Sequence, residues 1–201
     1  MKGNYFNSEN ALNEKHINDK NSLKNVDNMI TKNTPLKEVL KLAPACQCNA
    51  CNHGCKFGSG SLAEGDSKRI AEFLKISEED LKKDFLEEIE LFNKKVLRPR
   101  LLRGKGKVHG RCVFYSDKKG CTIHSAKPLE CKISMGCKDY SEELSIWFMV
   151  NNVIDTNSPE SIRQYAQYIK SGGKVIPGAE LENLVPDKEK LSKIISYEIL
   201  K

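Results

Sequence analysis

Cys46-Gln47-Cys48-Asn49-Ala50-Cys51-Asn52-His53-Gly54-Cys55 places four thiols within ten consecutive residues, and its reading decides how the rest of the chain must fold. Thiolate is the soft donor that Zn²⁺ and iron–sulfur clusters share, and a C-x-C-x2-C-x3-C pattern can carry several sulfurs onto one centre. We read the stretch as a ligand loop in which Gly54 supplies the positive φ that tight turns need. The other four of the eight cysteines, Cys112, Cys121, Cys131 and Cys137, form a second set downstream. Two separated groups of soft donors in so short a chain predict that an inorganic centre joins them. All eight are therefore candidate metal ligands. Spacing alone leaves three partitions open: two four-thiolate sites, one cubane-type cluster with spare thiols, or one mononuclear site beside a cluster.

Composition fits that reading. A chain of 201 residues suits one domain with accessories. Its apolar content is ordinary to slightly low, so a metal contribution on the order of 10 kcal/mol would rival the ~5–15 kcal/mol net stability of a whole domain. Met1-Lys-Gly-Asn-Tyr-Phe6 lacks the apolar run of a signal peptide, and no window approaches the ~18 apolar residues of a membrane span. A cytoplasmic setting is expected, where clustered cysteines serve as ligands or catalysts more often than as disulfides. The net charge of +6 permits an acidic partner without requiring one.

Outward from the cysteines, residues 1–33 are rich in Asn, Lys, Asp and Glu and read as a disordered or weakly helical tail. Thr34-Pro35 signals a helix start, with Leu36, Val39, Leu40 and Ala43 as one apolar stripe. Asp66 is expected to cap a helix whose Ile70, Phe73 and Leu74 share a face. Ser77 and Asp80 resemble a capping box ahead of a helix that carries Leu81, Phe85, Ile89 and Phe92 inward. From Lys94 to Arg111 there are eight Lys or Arg and no acidic residue, with Pro99, Gly104, Gly106 and Gly110 ruling out a continuous helix. A β-hairpin is expected next, with strands Cys112–Tyr115 and Cys121–His124 about a turn at Asp117–Gly120. Lys127-Pro128-Leu129-Glu130 starts a helix that returns Cys131. The last third reads as helices over 141–154, from Ser158-Pro159 to Gly172-Gly173, and from about Pro186, which cover the metal core. The fold class expected is α+β, mainly α: a small metal-organised cysteine core with a β-hairpin, divided as tail 1–33, cysteine domain 34–140 and helical extension 141–201.

Among the histidines, His124 lies close enough to Cys121 to ligate the same ion, or else serves as a hydrogen-bonding imidazole. His53 is expected behind the ligands rather than among them, and His16 and His109 in solvent. Lys56, Arg111, Lys132 and Lys138 each adjoin a cysteine and could offset thiolate charge. The basic run from Arg98 to Arg111 could hold RNA, phosphate or an acidic protein, but it lacks the interleaved aromatics of a single-strand reader. Gly58-Ser59-Gly60-Ser61-Leu62 is neither a dinucleotide fingerprint nor a P-loop, and the cysteines do not spell the C-x3-C-x2-C of a radical enzyme.

In order, Cys48-x2-Cys51-x3-Cys55, Gly110-Arg111-Cys112-Val113-Phe114-Tyr115, Gly120-Cys121-Thr122-Ile123-His124 and Lys127-Pro128-Leu129-Glu130-Cys131-Lys132 resemble the CxxCxxCC zinc- or iron-chelating domain family, the YkgJ-like cysteine cluster proteins. The resemblance spans Cys46 to Cys137, and the helices beyond Tyr140 look like the extension of archaeal-type members. The family's first motif usually ends in two adjacent cysteines. Here Gly54 replaces the first of that pair, Lys-Pro-Leu-Glu-Cys-Lys stands for Arg-Pro-x-x-Cys-Arg, and Cys46 and Cys137 look like additions. The resemblance implies a protein that binds an iron–sulfur cluster, of the 4Fe–4S kind, or zinc, in a redox or scaffold role. A zinc-stabilised module that binds RNA or an acidic protein is the second reading. Modification of a protein side chain is the third, because a related cysteine-rich domain occurs in flagellin lysine-N-methylases. The sequence shows no methyl-donor site and leans away from an enzyme. A protein partner is expected, nucleic acid less so, and a membrane not at all.

Overall fold

Helix α2 (Asn49–Phe57) runs through the cysteine stretch itself. Cys48, Cys51 and Cys55 follow an i, i+3, i+7 spacing, which on a helix stacks three side chains along one face. The expected ligand loop is thus a helix with Cys48 at its N-cap, and Gly54 lies inside it with no positive φ. The computed structural model describes residues 30–138 and 140–199. Most of the expected tail, His16 included, lies outside the described residues. Packed chain is already present at Ile30, which is 1% exposed, and Lys32 N donates to Pro177 O at 2.9 Å.

α1 (Leu36–Leu42) starts one residue later than the Thr34 signal, with Pro35 at the N-cap. Thr34 instead closes the preceding turn, accepting from Thr31 N on Oγ1 at 2.8 Å. Val39 and Ala43 are buried while Leu36 and Leu40 face outward, so only half of the expected stripe is core. α3 (Asp66–Leu74) follows the glycine connector and buries Ile70 and Ala71; Phe73 is exposed. Gly65, at φ 78, is its N-cap in place of the expected Asp66. The freed Asp66 carboxylate accepts from Ala63 N at 2.9 Å and Leu129 N at 2.8 Å and pairs with Arg69.

Ser77 and Asp80 do form the capping box, with Asp80 N donating to Ser77 Oγ at 3.0 Å and the hydroxyl donating to Asp80 Oδ2 at 2.6 Å. α4 (Glu78–Phe85) then stops, where a helix through Phe92 was expected. Residues 86–99 fold instead as a hairpin of β1 (Leu86–Leu91) and β2 (Lys94–Pro99). Its two-residue turn uses Phe92 and Asn93, both at positive φ, the conformation a type I′ turn requires. The register explains the choice: Glu87 faces Arg98, Glu90 faces Lys95 and Ile89 faces Val96. Opposite charges and β-branched pairs on facing positions stabilise a ladder that an isolated acidic helix would not have.

Two shorter ladders carry the later cysteines. β3 (Leu101–Leu102) pairs with β4 (Arg111–Cys112), and β5 (Tyr115–Ser116) pairs with β6 (Gly120–Cys121). The expected hairpin therefore exists about its predicted turn, but Cys112 belongs to a neighbouring ladder opposite Leu101. α5 (Leu129–Ile133) returns Cys131 as anticipated.

The helical third matches its pattern. α6 (Ser141–Phe148), with a π-helical turn at Met149–Val153, buries Leu144, Trp147, Phe148 and Val150. α7 (Pro159–Lys170) is capped by Ser158, and α9 (Lys188–Ile195) buries Ile194, with a short α8 (Leu181–Leu184) before it. The fold is α+β and mainly helical. Two apolar clusters result. One joins Ile30, α1, α5, α6, α7 and α9; the other joins α3 and α4 to the strands through Ile70, Leu81, Phe114 and Ile123. Cys46 and Cys51 pack against the first cluster, Cys55 and Cys121 against the second, so the thiols occupy the seam between them.

Candidate metal centre

α2 is the surface on which the distant cysteines converge. Gly136 lies so close to it that a Cβ would sit 3.2 Å from Ala50 O, and this approach brings Cys137 to the helix N-terminus. The Gly120 turn rests on Asn52, and Gly110 N donates to Phe57 O at 3.3 Å. Each loop that precedes a downstream cysteine thus touches α2 through a glycine, where a side chain would hold the backbones apart.

At the N-terminus of α2 the sulfurs of Cys46, Cys48, Cys51 and Cys137 all lie within 4.8 Å of one another. Cys51 and Cys137 are 3.3 Å apart, and Cys46 and Cys137 3.7 Å. All eight cysteines are free thiols, and these separations far exceed the ~2.05 Å of an S–S bond. Four sulfurs at 2.3 Å from one ion form a tetrahedron with edges of about 3.8 Å, which is the spacing seen here. The donor set is all sulfur, the chemistry that selects zinc or iron.

Electrostatics at the quartet follow from crowding and from the helix end. The backbone N–H of Cys51 holds the exposed Cys48 thiol down to about 7, assisted by the Cys46 thiol. Burial pushes the Cys51 thiol up, and the neighbouring Cys137 and Cys46 sulfurs add to the shift. Four thiols this close resist ionising together until a cation joins them. The positive end of the α2 dipole favours the anionic form.

The remaining cysteines, Cys55, Cys112, Cys121 and Cys131, line one cavity of about 40 Å³ behind the quartet. Burial pushes the Cys112 thiol up to about 12, with the Phe114 N–H opposing and Cys55 and Cys121 reinforcing the shift. Cys131 is likewise raised by burial; Gly60 N donates to its Sγ at 3.2 Å. Gly60 has no room for a side chain, since a Cβ would stand 2.9 Å from that same sulfur. Each downstream group has therefore exchanged a member with the upstream one: Cys137 joins the early cysteines, and Cys55 joins the late ones.

The other expected residues divide clearly. His124 Nε2 lies 3.0 Å from Cys46 O and thus orients the quartet's first ligand through the backbone. His53 stacks on Phe57 at 4.9 Å, and His109 is exposed beside the same ring. Of the four cations adjoining cysteines, Arg111 pairs with Asp117. The cation whose charge bears on Cys55 and Cys121 is Lys127, which sequence adjacency did not single out. In the basic run, Arg98 and Arg103 both hold Glu87, at 2.8 Å and 2.6 Å, and Arg100 donates to Lys83 O and Leu86 O. Those three guanidiniums tie the hairpin to the body of the fold. Gly60, Gly136 and Lys127 were missed in the sequence because only the tertiary approach gives them a role.

The profile of the CxxCxxCC family, described as a "Putative zinc- or iron-chelating domain", matches residues 47–153, and the chain belongs to this family. The match covers seven of the eight cysteines and runs through α6 and its π-helical turn; Cys46 lies just outside it. No curated protein and no solved structure matches the chain. Among the described residues, no helix is long and apolar enough to cross a membrane.

Proposed function

We propose that the protein is a cytoplasmic metal-thiolate protein in which Cys46, Cys48, Cys51 and Cys137 hold a single ion, zinc or iron, in a scaffold or redox role. One observation carries this reading: four sulfurs from α2, its N-terminal approach and the Cys137 turn gather within 4.8 Å. That spacing fits one tetrahedral ion, and nothing else in the chain requires an exposed turn at Gly136 to press against α2. Membership of a zinc- or iron-chelating family supports it. The iron–sulfur form of the expectation needs more widely spread thiolates and is better suited to the other four cysteines.

The test is metal analysis of protein purified without oxygen. Zinc or iron is expected in the isolated protein, and Cys46→Ser combined with Cys137→Ser should remove one ion per chain. Protein that arrives without metal, and takes up neither Zn²⁺ nor Fe²⁺ in an anaerobic titration, would reject the proposal.

A further inference from the structure

Cys55 comes from α2, Cys112 from β4, Cys121 from β6 and Cys131 from α5, four elements with no local reason to place their thiols together. They nonetheless wall one cavity, with Phe114 and Ile123 completing its apolar side. Its volume of about 40 Å³ is several times the ~10–15 Å³ that admits one water. Close packing would be expected to seal such a space in a core this small. Among the described residues, no second group of three or more ligand atoms gathers within 4.8 Å, so these sulfurs stand too far apart to share one tetrahedral ion.

We propose that Cys55, Cys112, Cys121 and Cys131 bind a polynuclear iron–sulfur cluster, separate from the single ion of the Cys46, Cys48, Cys51 and Cys137 quartet. The proposal rests on the reading of these cysteines as metal ligands and adds a second site of a different kind. In a cluster each thiolate meets a different iron, so the sulfurs must spread around a core of several atoms, which the wider spacing and the cavity provide. The surroundings suit an anionic core. Lys127 lines the cavity, Gly60 N–H points at Cys131 Sγ from 3.2 Å, and the aromatic and aliphatic wall keeps water away. The two sites meet on α2, where Cys51 and Cys55 stand one helical turn apart, the first serving the outer ion and the second the inner cluster.

Iron, zinc and acid-labile sulfide per chain, with the visible absorption spectrum, test this on anaerobically purified full-length protein. Wild type should contain labile sulfide and a brown absorption band in addition to one further ion. Cys46→Ser with Cys137→Ser should lose that ion and keep the sulfide. Cys112→Ser and Cys131→Ser, made separately, should each bring sulfide to background and keep one ion. Wild-type protein with a single ion and no sulfide, even after reconstitution with iron and sulfide, overturns the second site while leaving the first intact, and needs no variant to fold. Sulfide lost with the outer pair and retained with the inner pair overturns the assignment of sites. Protein that binds no metal in any form removes the underlying reading as well.

Discussion

Gly60 shows how much a single hydrogen atom in place of a methyl group can decide. Its Cβ would meet Cys131 Sγ, Cys131 N and Glu130 Cβ at 2.9 to 3.0 Å, two of them attached to backbone or a ligand sulfur that cannot swing aside. Gly60→Ala is therefore expected to destabilise the protein by about 1–3 kcal/mol, read from its denaturation midpoint, and to lower metal content at the inner site. Glu87 offers a contrasting, electrostatic case. The Arg103 guanidinium first, and Arg98 with it, hold its carboxyl down to about 2, well below the ~4.3 of a free glutamate. A carboxyl depressed on folding adds stability above its unfolded value and loses that contribution as the pH falls toward its folded one. Glu87→Gln should thus cost on the order of 1 kcal/mol near pH 7, and the gap between variant and wild type should close between about pH 4 and pH 2 in urea melts. Asp66 is the third residue of this kind, 1% exposed and holding the start of α5 through Leu129 N.

At the level of elements, the cysteine helix and the 86–99 hairpin are where sequence reasoning and structure part. The spacing Cys48, Cys51, Cys55 was already helical, but the pull of metal-loop chemistry hid it, and Gly54 looked like a turn residue. In the hairpin, the acidic run Glu87-Glu88-Ile89-Glu90 reads as helix from its own propensity. Its partner Lys94-Lys95-Val96-Leu97-Arg98 lies across a turn, and only the pairing makes the alternation meaningful. Asn93, at φ 58, is the local clue that was available. Replacing it with valine should cost roughly 1–2 kcal/mol, because a β-branched residue resists the left-handed region; thermal denaturation measures this. The C-terminal helices, in contrast, were legible because Ser158-Pro159 and the 3.6-residue apolar period act within each segment. The pairing of thiols was legible only in outline: a joint centre was foreseen, while the exchange of Cys137 for Cys55 depends on how Gly136 and Gly120 dock on α2.

For the whole molecule, the position of the thiols matters more than their number. They lie between an all-helical cluster and a strand-bearing one, each with its own buried apolar set. Stripping the metal with a chelator should leave the helical cluster around Tyr165 and Phe148 largely folded. Hydrogen exchange should then show the loss of protection concentrated in 46–60 and 110–137, since bound metal contributes folding energy directly where its ligands lie. Uniform loss of protection across the chain would contradict this division.

One turn of α2 separates Cys51 from Cys55, and a rod that short cannot bend between them. Whatever seats itself at one sulfur fixes the azimuth of the other, so the first occupant prepares the berth for the second. Native mass spectra of protein given half its complement of metal should accordingly show bare and fully charged chains side by side, with few that are half filled.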